Sequence, residues 1–238
     1  MKKFSVLALS ALLLMGCSTA PAQKTDAELE AEGWVKNPLE NGYVMATDAP
    51  APTALPEPRD TTKMYKPSKD EAEVACTADS YAAACSSINV DNLIDYLGRD
   101  DVVYIDLRDY NDYAKKHLKN FEVIPYFAVI FNADANTDAT LPQLYGGSVT
   151  EPIDVYEESD DLLHAMIPTD KTVFLMCQSG GRVTQLMNLL AAKGYDMSKI
   201  YNVGGMGQFE GSEFRPYTTD NAELAVTATY AFEGLTRK

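Results

Sequence analysis

From residue 87 onward the chain alternates between short apolar runs and amphipathic stretches. DVVYIDL (101–107) is nearly continuous in apolar residues, as in a strand buried on both faces of a parallel sheet. KTVFLM (171–176) and KIYNV (199–203) read the same way, and FEVIPYFAVI (121–130) and SINV (87–90) are further strand candidates. VTQLMNLLAAKGY (183–195) has the other period: Val183, Leu186, Met187 and Leu190 fall at i, i+3, i+4 and i+7, and Gly194 can end the helix. Shorter helices are expected over NLIDYLG (92–98), with Asp91 as the cap and Gly98 as the stop, over YNDYAKKHL (110–118) and over DDLLHAMI (160–167). Strands alternating with helices predict an α/β domain around a central, mostly parallel sheet flanked by helices.

Three regions stand outside this alternation. Residues 131–160 form a polar, glycine-containing stretch longer than an ordinary connection, which suggests an insertion over one face. Residues 18 to about 70 are rich in Ala, Pro, Thr, Asp and Glu, as in TDAPAPTALPEPRDTTK; the prolines oppose helix and the composition cannot bury a core, so a tether or an extended wrap is expected. Within it GWVKNPLENGYV (33–44) holds the only tryptophan and could dock on the folded domain. The tail from Pro216 contains AELAVTATYAFEGL, which suits either a helix or an edge strand.

The N-terminus adds a destination. Lys2 and Lys3 precede the apolar run Phe4 to Met15, which is too short to span a bilayer and is followed by small and polar residues, as in a secretion signal. Leu14-Met15-Gly16-Cys17 resembles the lipobox of bacterial lipoproteins, although Met15 is a less usual occupant of its position. That resemblance implies removal of residues 1–16 and acylation of Cys17, which would hold the protein at a membrane surface in the cell envelope, facing a periplasm or the exterior. Ser18 is not the aspartate associated with inner-membrane retention, so an outer membrane is open to it. The formal net charge of −15 disfavours nucleic acid and anionic lipid surfaces as partners, and an anionic substrate would need local positive charge.

The chain carries four cysteines. With Cys17 assigned to lipid, Cys76 and Cys85 lie close together in an exported chain, where disulfides persist. On one straight helix their Cα atoms would be roughly 13–14 Å apart, whereas a bridge needs about 7 Å or less. A disulfide therefore requires a break near residues 77–80; two buried free thiols are the alternative. The expected organisation is a signal (1–16), a tether (17–75), a cysteine-containing lead-in (76–86), the α/β domain (87–215) and a C-terminal extension (216–238).

Cys177 remains, at the start of the loop Cys177-Gln178-Ser179-Gly180-Gly181-Arg182-Val183, between an apolar strand and an amphipathic helix. In α/β sheets that end of a strand opens onto ligand crevices. The two glycines let the chain curl, backbone N–H groups from Gln178 to Val183 can converge, the helix presents the positive end of its dipole, and Arg182 adds a charge. Together they would favour a thiolate or persulfide at Cys177.

These residues resemble the active-site loop of rhodanese-like sulfurtransferases, of Cys-x-x-Gly-x-Arg type, through Cys177, Gly180 and Arg182. IDLRDYNDYAKKHL is similar to the family's IDxRxxxEYxxGHI segment through Ile105, Asp106, Arg108, Tyr113, His117 and Leu118, and YNVGGMGQF to its closing strand–Gly–Gly–helix element through Val203, Gly204, Gly205 and Phe209. The likeness runs from about Ser87 to Arg215 and departs from the family at Lys116, where glycine is usual, and in the long 131–160 insertion. It implies a rhodanese-like three-layer fold and sulfur transfer without a cofactor. Cys177 would take the outer sulfur of a thiosulfate-like anion as a persulfide and pass it to a thiol or cyanide, with Gln178 to Val183 as the substrate cradle. Phosphatases that share this fold place five residues between cysteine and arginine; four lie between Cys177 and Arg182, a shorter loop better suited to sulfur than to a phosphoryl group. A non-catalytic module for protein binding or redox sensing is the main rival. Asp106, Arg108 and His117 are expected to brace the site structurally, His164 to pack or face solvent, and no Cys/His spacing suggests a metal. The physiological protein partner is not legible.

Overall fold

A computed structural model describes residues 25–32, 34–36, 43–45, 54–219 and 224–238. The segment expected to be a signal (1–16) and Cys17 lie outside the described residues. The chain divides into two units, residues 1–49 and 50–238. In the first, helix α1 (Asp26–Ala31) precedes an antiparallel hairpin of β1 (Trp34–Lys36) and β2 (Tyr43–Met45). The helix corrects the reading of this stretch as wholly non-helical. Its cause is local: the Thr25 hydroxyl and the Glu28 carboxylate exchange hydrogen bonds with each other's backbone N–H, a capping box that satisfies first-turn donors.

The second unit opens with β3 (Met64–Tyr65) paired to β4 (Val74–Ala75). There is no straight helix between the two cysteines; a 3₁₀ turn covers only Ala83–Cys85. The backbone folds back instead, stopped by the Ser80 hydroxyl on the Thr77 N–H, so the Cα atoms of Cys76 and Cys85 come within 5.6 Å and are joined by a disulfide.

Four parallel strands then build the central sheet: β5 (Val102–Asp106), β6 (Glu122–Val123), β9 (Thr172–Cys177) and β10 (Ile200–Gly205), in the order β10-β9-β5-β6. Between them lie α2 (Tyr110–Lys115), the hairpin β7 (Tyr145–Gly147) with β8 (Pro152–Asp154), α3 (Ser159–Met166) and α4 (Gly181–Ala192). Alternation along β9 separates two cores: Val173, Leu175 and Cys177 face the core of α3, α4 and the insertion, while Phe174 and Met176 face that of Tyr104, Phe121, Val203 and Phe209. The result is the three-layer α/β arrangement.

Four local expectations are corrected. SINV is not a strand, and Asp91 does not cap the next helix, which is a 3₁₀ turn over Leu93–Tyr96. The side chains of Asn89 and Asn92 take the nearby backbone donors, Asn89 that of Asp91 and Asn92 that of Asn89. The expected strand over 121–130 is cut to two residues, because Pro125 has no N–H for a ladder and the chain coils into one π turn over Tyr126–Ile130. Among the described residues, the tail after Pro216 is neither helix nor strand. It runs as a strap with isolated bridges Leu118–Thr218 and Tyr156–Arg237, and the Arg237 guanidinium holds the carbonyls of Ala135, Asp138 and Leu141 in the insertion.

The disulfide closes a short loop, so its contribution through the unfolded chain is about 2–3 kcal/mol. Reducing it, or making Cys76→Ala with Cys85→Ala, is expected to lower the urea midpoint of the folded domain correspondingly. An unchanged midpoint would show that the packing of residues 76–85 alone carries them.

Candidate active site

Cys177 ends β9, the inner strand flanked by β10 and β5, and is 1% exposed. The chain then turns through Gln178, Ser179 and Gly180 into α4. Gly180 has φ +90°, a left-handed conformation that disfavours side chains, and a Cβ there would also meet the Ala83 Cβ at 2.7 Å. This turn brings the Gly180 N–H back onto its own loop, where it donates to Cys177 Sγ at 3.1 Å. The N–H groups of Gly181, Arg182 and Val183 follow as the first turn of α4, the donors that helix geometry leaves without intrahelical acceptors. A buried sulfur is thus held by an amide donor beside the positive end of a twelve-residue helix.

The neighbouring strand determines where the loop can lie. Pairing between β10 and β9 is irregular between Asn202 and Gly205, and Gly204 has φ +88°. Gly205 then passes directly beneath the loop: a Cβ on it would sit 2.2 Å from the Gln178 carbonyl carbon and 2.3 Å from the Ser179 nitrogen. The Gly207 N–H donates to the Gln178 carbonyl at 3.1 Å. Asn202, buried, bridges from below. Its Nδ2 donates to the Gly180 and Tyr81 carbonyls, and its Oδ1 accepts from the Gly204 N–H. Thr184 Oγ1 also donates to the Tyr81 carbonyl. The disulfide-closed segment is therefore stitched to the Cys177 loop through Tyr81 and Ala83. Sequence reading missed Asn202, whose type and strand position gave no signal of this bridge.

Arg182 is half-buried. One of its guanidinium nitrogens lies 3.4 Å from the Leu107 carbonyl, and its Cζ stands 5.8 Å from the centre of the Phe127 ring. Gln178 and Ser179 are exposed, Gly181 is exposed and Val183 is buried in the core. Asp106 and Arg108 form a buried pair: Arg108 Nε donates to both carboxylate oxygens at 2.9 and 3.1 Å, and Nη2 donates to Oδ2 at 2.6 Å. Arg108 Nη2 also donates to the Lys116 carbonyl at 2.6 Å, so the pair fixes the C-terminal end of α2. Burial is the largest influence on Asp106 and pushes its carboxyl above the usual range, while Arg108 opposes this by hydrogen bonding and charge. His117 stacks on Tyr113 with ring centres 3.7 Å apart, and its Nδ1 lies 2.7 Å from the Tyr113 carbonyl and 3.0 Å from Thr219 Oγ1. His117 thus binds the segment after β5 to the strap, and the Asp106–Arg108 pair braces that segment from within.

Two cavities meet this loop at Gln178. One, of about 580 Å³, is lined by Arg108, Asp112, Lys115, Lys116, Met206 and Glu210 besides Gln178. The other, of about 780 Å³, lies between the disulfide-closed segment and the loop, with Ala83, Ala84 and Asp91 on one wall and Ser179, Gly204 and Gln208 on the other. No residue of the 131–160 insertion lines either cavity. Among the described residues no group of His, Cys, Asp and Glu is placed to hold a metal ion, and no helix is long and apolar enough to cross a membrane.

The rhodanese-like domain family model matches residues 89–211. No curated protein matches the chain. Among solved structures, a rhodanese with anions from E. coli is 18% identical with a TM-score of 0.29, covering 50% of this chain and 98% of that one. A rhodanese-like domain from Anabaena sp. is 13% identical with a TM-score of 0.33, covering 59% and 82%.

Removing one member of the buried pair leaves the other charge uncompensated. Asp106→Ala is expected to cost about 3–5 kcal/mol in urea unfolding. Replacing Asp106 and Arg108 together by apolar residues of similar volume is expected to cost clearly less. Equal losses would show that the pair acts through packing alone.

Proposed function

The chain belongs to the rhodanese-like domain family, and from that premise we propose that it is a sulfurtransferase working through a persulfide on Cys177. The observation that carries this reading is the sulfur itself: the single free cysteine among the described residues ends an inner parallel strand, receives the Gly180 N–H and faces the N-terminal turn of α4. An amide donor and a helix dipole stabilise a sulfur anion whether it is the thiolate or the terminal sulfur of a persulfide.

In the first half-reaction the Cys177 thiolate attacks the outer sulfur of a thiosulfate-like donor. The S–S bond of the donor breaks, sulfite leaves with the bonding pair, and Cys177 carries the sulfane sulfur. In the second half-reaction a thiolate or cyanide attacks that terminal sulfur, and the Cys177 thiolate departs. No net oxidant or reductant is needed. The loop amides hold the charge that moves between the two sulfurs, and the remaining donors of Arg182 supplement them. Asp106, Arg108 and His117 act by position, since their polar atoms are engaged with backbone and with each other.

The second part of the proposal is an envelope location through lipid on Cys17. It is supported by the lipobox-like Leu14-Met15-Gly16-Cys17 and by a disulfide of the kind that persists outside a reducing cytoplasm. Cys17→Ser is expected to move the protein from the detergent phase to the aqueous phase in a partition assay of the expressing cells.

Incubation of the protein with thiosulfate is expected to add the mass of one sulfur atom, removable by cyanide and absent in Cys177→Ser. An unmodified mass after incubation, with Cys177 alkylatable on unfolding, would reject catalysis and favour a binding or redox-sensing module.

A further inference from the structure

The smaller cavity beside Gln178 has an unusual charge pattern. Two lysines, Lys115 and Lys116, and two carboxylates, Asp112 and Glu210, line one space of about 580 Å³. None of the four is in an ion pair among the described residues. Arg108 also forms part of the wall, but its charge is met by Asp106 at 2.6 Å, so it adds little net field. The space is large enough for an amino-acid-sized or short-peptide ligand.

Its construction is not that of a loose surface. Arg108 Nη2 holds the Lys116 carbonyl at 2.6 Å, and Arg108 Nη1 lies 3.5 Å from the Asp112 carbonyl. The buried guanidinium therefore fixes the backbone that carries both lysines and Asp112. Those three side chains are half-buried, and Glu210 and Gln178 are exposed across from them. The larger cavity on the other side of the loop is different: Asp91 and Glu210 line it and no cationic side chain does. Positive and negative groups thus occur together in only one of the two cavities that reach Gln178.

Resting on the sulfurtransferase reading, we propose that this cavity binds a zwitterionic amino-acid thiol as the sulfur acceptor, with its carboxylate on Lys115 and Lys116 and its ammonium toward Asp112 and Glu210. A simple anion would meet the two carboxylates, and a simple cation the two lysines; a ligand bearing both charges satisfies all four. The thiol then lies beside Gln178, next to Cys177 in the chain. Its thiolate attacks the terminal sulfur of the Cys177 persulfide. The bond from that sulfur to Cys177 Sγ breaks, the electron pair stays on Cys177, and the acceptor leaves as a persulfide anion. Atoms and charge balance with no further reactant.

The test compares four thiols as acceptors from the thiosulfate-loaded full chain: cysteine (zwitterion), 3-mercaptopropionate (anion), cysteamine (cation) and 2-mercaptoethanol (neutral). Each is run with the wild type and with the double variant Lys115→Gln, Lys116→Gln, so that the ratio for each thiol cancels its intrinsic reactivity. The expected loss in kcat/KM is about tenfold or more for cysteine, as for lost charge-assisted hydrogen bonds, and under about twofold for 2-mercaptoethanol. Equal ratios for all four, or a loss for 2-mercaptoethanol as large as for cysteine, would overturn the assignment. A separate arm needs no persulfide: S-methylcysteine, which cannot accept sulfur, is expected to bind the resting protein in calorimetry and to lose affinity in the double variant. Absence of that binding overturns the cavity proposal even where the persulfide forms. Its presence, with no sulfur ever loaded on Cys177, keeps the site and rejects the transfer chemistry instead.

Discussion

The structure depends on one close approach: the backbone of Gln178 and Ser179 rests on Gly205 at distances that exclude any Cβ. With that contact the loop after β9 can fold flat over the end of β10, and the Gly180 N–H reaches Cys177 Sγ. A side chain at Gly205 would lift the loop from the sheet and separate sulfur from donor. The irregular pairing of β10 with β9 just before this point is how the strand brings a glycine to the required place.

Around this contact the chain has built successive supports. Asn202 ties the loop carbonyl of Gly180 to Tyr81 in the disulfide-closed segment, and Arg59, whose guanidinium stands 4.9 Å from the centre of the Tyr81 ring, donates through Nη1 to the Met197 and Ile200 carbonyls. On the opposite side the Asp106–Arg108 pair holds the end of α2. The Cys177 loop is thus clamped between an appended N-terminal collar and a segment belonging to the sheet domain. Each clamp forms one wall of a cavity that ends at Gln178.

Much of this was legible in local sequence. The apolar runs at 101–107, 171–176 and 199–203 form strands β5, β9 and β10, and the spacing of Val183, Leu186, Met187 and Leu190 places the buried face of α4. The expected strand over 121–130 failed because apolar content alone cannot distinguish a ladder from a coil once Pro125 removes a donor. The two asparagines at 89 and 92 likewise outcompeted Asp91, since side-chain capping depends on which oxygen reaches the free N–H. The helix at 26–31 was masked by the composition of its surroundings, although the Thr25-x-x-Glu28 pattern was there to be read.

Sequence alone determined the strands β5, β9 and β10, the helix α4 and the placement of Cys177 at the turn between β9 and α4, because periodicity and residue type act over a few neighbouring positions. Only the tertiary structure decided that Cys76 and Cys85 meet, that Asn202 spans collar and loop, that Arg182 lies against Leu107 and Phe127, and that Lys115 and Lys116 share a cavity with Asp112 and Glu210. Those juxtapositions join residues far apart in the chain, or orient side chains by what packs against them, and packing is a property of the assembled layers.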